Sequence, residues 1–164
     1  MRNLQCLIEA IGTNLYQFDL AGVLEVIHKS IKHLNRFVRE IAYFVINAIF
    51  VTSKGVLDTD HKPKFLEYCE EFVPLMTQGL ADNWSQVRYA SCLCARSFYD
   101  VIQNDQEVQD KYNANLVPRM CLNRYYVAAG VRIYSNETWQ IVFGGSGKQI
   151  VCKYAAEVSA YYIS

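Results

Sequence analysis

Val73-Pro74-Leu75-Met76 returns as Val117-Pro118-Arg119-Met120, and Val87-Arg88-Tyr89-Ala90-Ser91 returns as Val131-Arg132-Ile133-Tyr134-Ser135, both 44 residues further along the chain. Tyr68 and Tyr112 keep the same interval. Self-similarity at a fixed period of this length is the signature of stacked supersecondary units. A third Val-Arg pair, Val38-Arg39, lies 49 residues before Val87-Arg88. The longer interval fits an insertion in the polar stretch from Thr52 to His61, because loops absorb extra residues at small entropic cost. Lys153-Tyr154-Ala155-Ala156 echoes Lys111-Tyr112-Asn113-Ala114, so a further unit begins near residue 148.

Each unit reads as two helices. Val38, Ile41, Val45 and Ile49, then Val87, Ala90, Cys94, Phe98 and Val101, then Val131, Tyr134, Thr138 and Val142 recur at intervals of three and four. That is helical spacing, and it excludes the alternation of strands. The first helix of each pair is predicted over 20–34, 64–80 and 106–122, with Thr59, Asp60 and Pro63 as cap and first turn of the middle one. Pro74 and Pro118 sit at the same phase inside two of these helices, where a lost backbone bond predicts a built-in kink. Gly144-Gly145-Ser146-Gly147 breaks the chain before the last helix. The expected fold is all-α, a right-handed α-solenoid of about three and a half helical hairpins in one segment over 1–164. Its units are approximately 1–15 (partial), 17–54, 60–103, 105–143 and 148–164 (partial).

Composition agrees with a folded chain. With 52% hydrophobic residues and only 3 Pro, disorder is excluded, and a chain of this length buries roughly 68–70% of its unfolded surface. Sixteen Lys+Arg against 16 Asp+Glu leave no net charge, which disfavours a general nucleic-acid or anionic-membrane binder, since such proteins depend on a basic excess. No apolar run approaches the ~20 residues of a membrane span. The 6 Cys fall in helical stretches and residues 1–5 carry no apolar signal core, so a reducing cytoplasmic setting is expected. The sequons Asn83-Trp84-Ser85 and Asn136-Glu137-Thr138 are then chance matches.

Asp82-Asn83-Trp84-Ser85-Gln86-Val87-Arg88-Tyr89-Ala90, with the bent first helix and the repeated Val-Arg, resembles the HEAT-repeat family, with the flavour of the scaffold-type repeats of protein phosphatase 2A. The resemblance spans nearly the whole chain. It implies an inter-repeat polar ladder through Asp82 and Arg88 and, by position, Arg39 and Arg132. The position of Asp82 holds His33 in the first copy and Tyr126 in the third, so the ladder is not expected to stay acidic throughout. The resemblance also implies a job: a non-catalytic scaffold or adaptor that holds other proteins, without cofactor or metal. Rival readings are a nucleic-acid-binding solenoid of the same family and a regulatory region of a larger enzyme.

Residues 2–15, with Leu4, Leu7, Ile8, Ile11 and Leu15 on one face, read as the second helix of a preceding unit. Residues 148–163, with Val151, Tyr154, Val158, Tyr161, Tyr162 and Ile163, read as a first helix without its mate. Terminal repeats usually carry polar outer faces. These ends therefore suggest a piece of a longer solenoid, or terminal helices packed on another subunit.

Chemical motifs are weak. Gly144–Gln149 fails as a phosphate loop: the first glycine would fall at Val142, Gln149 replaces the magnesium-reaching Ser/Thr, and no strand precedes it. Cys92 and Cys94 are about 200° apart around a helix and cannot share an ion; His28 and His33 also diverge, leaving packed thiols and surface histidines. Glu70-Glu71 reads as a solvated helix face, and no nucleophile elbow or zinc-spaced His-Glu pair occurs. Charge is nevertheless uneven. Lys29, Lys32, Arg36 and Arg39 form a basic cluster, and Asp100, Asp105, Glu107 and Asp110 an acidic run. Trp84 lies in the turn between two helices, with Arg124, Tyr125 and Tyr126 at nearly the matching turn. Since Trp, Tyr and Arg dominate binding hot spots, Trp84, Arg124, Tyr125, Lys29, Lys32 and Arg36 are the candidate partner-binding residues. The alternative for Trp84 is a plug over the helix ends.

Overall fold

A computed structural model describes residues 1–163; Ser164 and the side chain of Ile163 lie outside the described residues. The chain is all-helical, with no strand among the described residues. Nine α-helices run through them: α1 (Arg2–Ile11), α2 (Ala21–Ile31), α3 (Arg36–Thr52), α4 (Lys62–Gly79), α5 (Ser85–Ile102), α6 (Gln106–Asn123), α7 (Ala129–Phe143), α8 (Gly147–Lys153) and α9 (Ala155–Ile163). Helix α3 packs on α1 and α5, and α5 packs on α7; α6 packs on α4 and α9. The pairs α2–α3, α4–α5 and α6–α7 each pack together as well.

Most of the apolar positions read from the sequence are buried, but Val38 and Ile41, expected on the face of Val45 and Ile49, are only partly so. Val45, Ile49, Val87, Ala90, Cys94, Phe98 and Val131 join one continuous core with Phe50, Phe65 and Phe72. Phe50 is its hub, with its ring centroid 5.2 Å from Phe98 and 5.8 Å from Phe72. Cys69, Cys92, Cys94 and Cys121 are buried thiols, whereas Cys6 and Cys152 are exposed. Burial pushes the Cys92 thiol up to about 11.

Polar contacts recur at the repeat interval. Arg39–Asp82, Lys62–Asp105, Cys92–Ser135, Asn123–Leu80, His28–Glu71 and Lys153–Asp110 all span 43 residues. Side chains one unit apart in sequence therefore meet in space. The unit junctions are matched by size. Gly79 ends α4 where an added Cβ would come within 2.3 Å of the Tyr43 ring and 2.0 Å of Ser91 Oγ. At the next junction the residue 44 positions on, Asn123, faces the smaller Cys92. Its amide donates to the Leu80 carbonyl and accepts from Arg88.

Several local expectations change. Residues 2–15 are not one helix: Gly12, at φ 59°, ends α1 and a 3₁₀ turn follows to Gln17. Leu7, placed on the buried face, is exposed, while Ile8 and Leu15 are buried. Residues 148–163 split at Tyr154 into α8 and α9, and the Tyr154 and Val158 side chains are buried while Tyr162 is exposed. Thr59 and Asp60 do not cap α4. That helix starts one residue before Pro63, with His61 at its cap position, and Thr59 Oγ1 instead accepts from the His61 amide. Both α4 and α6 continue across their prolines.

Candidate interaction surface

Three turns join the helices of each pair: residues 32–35, 80–84 and 124–128. The contacts of Arg36 with Trp84, Arg39 with Asp82, and Arg88 with Tyr126 bring them together as one edge. One device is repeated along it. Arg39 Nη1 donates to the carbonyls of His33 and Leu34, Arg88 Nε to that of Asp82, and Arg132 Nη1 to those of Tyr126 and Val127. Each arginine of the repeated Val-Arg thus ties down carbonyls left open by its own turn, which a helix end cannot satisfy internally.

The same arginines differ in what they reach beyond their own turn. Arg39 forks onto Asp82, with Nε to Oδ2 at 2.9 Å and Nη2 to Oδ1 at 3.2 Å. Arg88 donates to Asn123 Oδ1 at 2.8 Å and lies over the Tyr126 ring at 4.0 Å. Burial pulls its pKa down from the ordinary value. The ladder implied by the resemblance is therefore acidic at one junction and an amide plus an aromatic face at the next. Arg132 is exposed and bonds only within its own turn among the described residues.

Trp84 is 46% exposed and carries the Arg36 guanidinium over its ring at 4.2 Å, so it does not plug the helix ends. It occupies the N-cap position of α5 without a capping side chain. The matching position of α3 is Asn35, whose Oδ1 accepts from the Phe37 amide; that of α7 is Ala128. A side-chain cap contributes about 1 kcal/mol. In its place, Asp82 Oδ1 accepts the Trp84 amide at 2.9 Å and fixes the turn that presents the indole. Leu34 (97% exposed), Tyr125 (70%) and Val127 (84%) are exposed on the other two turns, and Phe37 shares the Arg36 guanidinium with Trp84.

The other candidates are placed unequally. Lys29 is exposed and paired with Glu25 on its own helix, and Lys32 is exposed. Arg124 is half-buried, donating to Asn136 and lying 4.7 Å from the Trp139 ring centroid, so its guanidinium is largely engaged internally. Arg119, unnoticed in the sequence reading, lines an open groove of about 410 Å³ with Arg39, Gln78, Asp82, Asn83 and Trp84. Its only sequence signal is the change from Val-Pro-Leu-Met to Val-Pro-Arg-Met.

At the opposite ends of the helices, the acidic run is taken up by lysines one unit earlier or later. Asp100 pairs with Lys54, Asp105 with Lys62 and Asp110 with Lys153. These hydrogen bonds hold the Asp105 and Asp110 carboxyls below the usual range. Glu70 accepts from Tyr112 and Lys111, and Glu71 faces His28, so the Glu70-Glu71 face bridges units as well as meeting solvent. A cleft of about 590 Å³ lies between the ends of α5 and α7 and the start of α6, but its arginine, Arg96, is held by Thr138 and the Tyr134 carbonyl. Among the described residues no cluster of His, Cys, Asp and Glu is placed to hold a metal, and no helix is long and apolar enough to cross a membrane. No family model, curated protein or solved structure matches the chain.

Proposed function

We propose that the chain is a right-handed α-solenoid of HEAT-like hairpins acting in the cytoplasm as a non-catalytic scaffold, and that it docks other proteins along its hairpin-turn edge. The stacking of alternate helices and the side-chain meetings at a 43-residue interval support the solenoid reading. In such stacks each unit buries its core against its neighbours and leaves long edges open for recognition.

The observation that carries the docking role is Trp84. The chain places its largest side chain, half exposed, at a helix cap where a small polar residue would stabilise the helix more. Positions that break a local folding rule tend to serve function. Exposed Leu34, Phe37, Tyr125 and Val127 on or beside the turns of the same edge add apolar area there. Trp84→Ala is expected to weaken capture of native partners by about 2 kcal/mol, the scale of an interface hot spot, while helicity and melting temperature stay nearly unchanged. Quantitative co-purification beside a thermal melt checks both halves. Unchanged capture, or a large stability loss, removes the docking role.

A further inference from the structure

We propose, resting on the docking role of the hairpin-turn edge, that the groove between the α4–α5 turn and α6 takes an extended acidic peptide segment, its carboxylates read by Arg119 and Arg36 beside Trp84. Charge accounting within the groove points there. Its one acid, Asp82, is already used on both oxygens, by the Arg39 fork and the Trp84 amide. Two guanidiniums are left without a carboxylate among the described residues. Arg36 touches only the faces of Phe37 and Trp84, and Arg119 lies over the Tyr161 ring at 3.8 Å. Stacking uses the face of a guanidinium and does not consume its in-plane N–H groups, whose fork geometry suits a carboxylate.

Arg119 is the sharper case. Its Nε is buried without a hydrogen-bond partner, and a buried charged donor left unmade is costly to the fold. The matching residue one unit earlier, Leu75, is buried in the core. An apolar side chain would therefore satisfy the fold at this position, and an arginine is what an incoming anion needs. Gln78 and Asn83 line the same groove with amides able to pair with an extended backbone. The neutral chain supplies no long-range field for a polyanion, and affinity for nucleic acid grows with the number of phosphates neutralised. Two unpaired guanidiniums beside an indole suit a short stretch of carboxylates with an apolar neighbour.

Fluorescence anisotropy of the whole 164-residue chain with three labelled probes tests this: a short Glu-Leu peptide, its Gln-Leu isostere and a short single-stranded RNA. The Glu-Leu peptide is expected to bind at least about ten-fold more tightly than the isostere, and to weaken as salt rises. Arg119→Met and, separately, Arg36→Met should each bring it down to the isostere's level. Arg119→Met should keep or raise the melting temperature, because it removes the orphaned donor. If it instead fails to fold, Arg36→Met still decides. Equal binding of the two peptides overturns the acidic reading yet leaves the docking edge standing if Trp84→Ala abolishes both. Absence of binding by the Glu-Leu peptide overturns the proposal, as does tighter, arginine-dependent binding of the RNA. The docking edge itself falls if Trp84→Ala leaves capture of native partners unchanged or causes a large loss of stability.

Discussion

The two edges of the helix stack join neighbouring units by different chemistry. At the hairpin turns arginines bond to the carbonyls of their own turns, and the two that are half-buried, Arg39 and Arg88, reach across a junction to Asp82 or Asn123. At the opposite edge the links are lysines meeting Asp100 and Asp110 in the open and a more sheltered Asp105. A planar guanidinium can serve two units at once, whereas an ammonium on a flexible stem is a point charge held by one partner. Firm junctions at the hairpin turns leave that edge able to present exposed aromatics in a fixed geometry. The lysine edge tolerates insertions, and the extra residues between Thr52 and His61 lie there.

The largest effect should come from the core that both edges share. Val87 is fully buried between helices, and Val87→Asp places an unpaired carboxylate there. A loss of about 4 kcal/mol or more is expected, seen as collapse of the thermal transition followed by circular dichroism. An unchanged melting curve would refute the packing assigned to Val87, and with it any contrast between edges.

Asp82→Ala acts on the hairpin-turn edge alone. The Asp82 and Arg39 side chains are each 15% exposed. Removing the carboxylate strands both the guanidinium fork and the Trp84 amide, at about 2 kcal/mol. Lys54→Met, at the other edge, should move the melting temperature by no more than about 2 °C, since the Lys54 and Asp100 side chains are 66% and 48% exposed and such pairs contribute little. Urea melts of the two variants rank the edges. Equal losses would show that the buried and exposed links are energetically alike and that the two edges do not differ in this respect.

Sequence exposes the period, because every second helix must bury the same face and so repeats the same apolar phase around Val-Arg. It also exposes the Arg39–Asp82 relation, through the resemblance. The fit of Gly79 against Tyr43 is not legible, since it depends on how closely α4 approaches α3, and no pattern within either helix encodes that distance. The lysine–carboxylate pairs could be found only by sliding one unit over the next; taken locally, the acidic run looks like a solvated turn. Trp84 is legible as a turn aromatic and Arg36 as part of a basic cluster, but no local pattern stacks the one on the other across 48 residues. Arg119 differs from Leu75 within an otherwise repeated Val-Pro-x-Met, and a repeat reports the shared positions, not the one that departs. Helix ends shifted where a glycine or a 3₁₀ turn outweighed apolar periodicity, as at Gly12.

The smallest effect is a dependence on pH. Lysine hydrogen bonds lower the folded pKa of Asp105, Asp110 and Glu70 from ordinary values of 3.8 and 4.5. A carboxyl whose pKa is depressed on folding stabilises the native state above its unfolded value. That stabilisation is lost as pH falls through the folded value. The melting temperature should therefore fall between about pH 5 and about pH 3, and fall less in a variant carrying Lys62→Met, Lys111→Met and Lys153→Met, where the depression has lost its first cause. Added salt should shrink the difference, because these pairs face solvent and are screened. The Arg39–Asp82 fork is present in both proteins, so it cancels from the comparison and leaves the lysine edge as the only source of the difference. Parallel curves for the two proteins would mean that the exposed pairs do not hold in solution, and the hairpin-turn edge would then carry the polar linkage between units by itself.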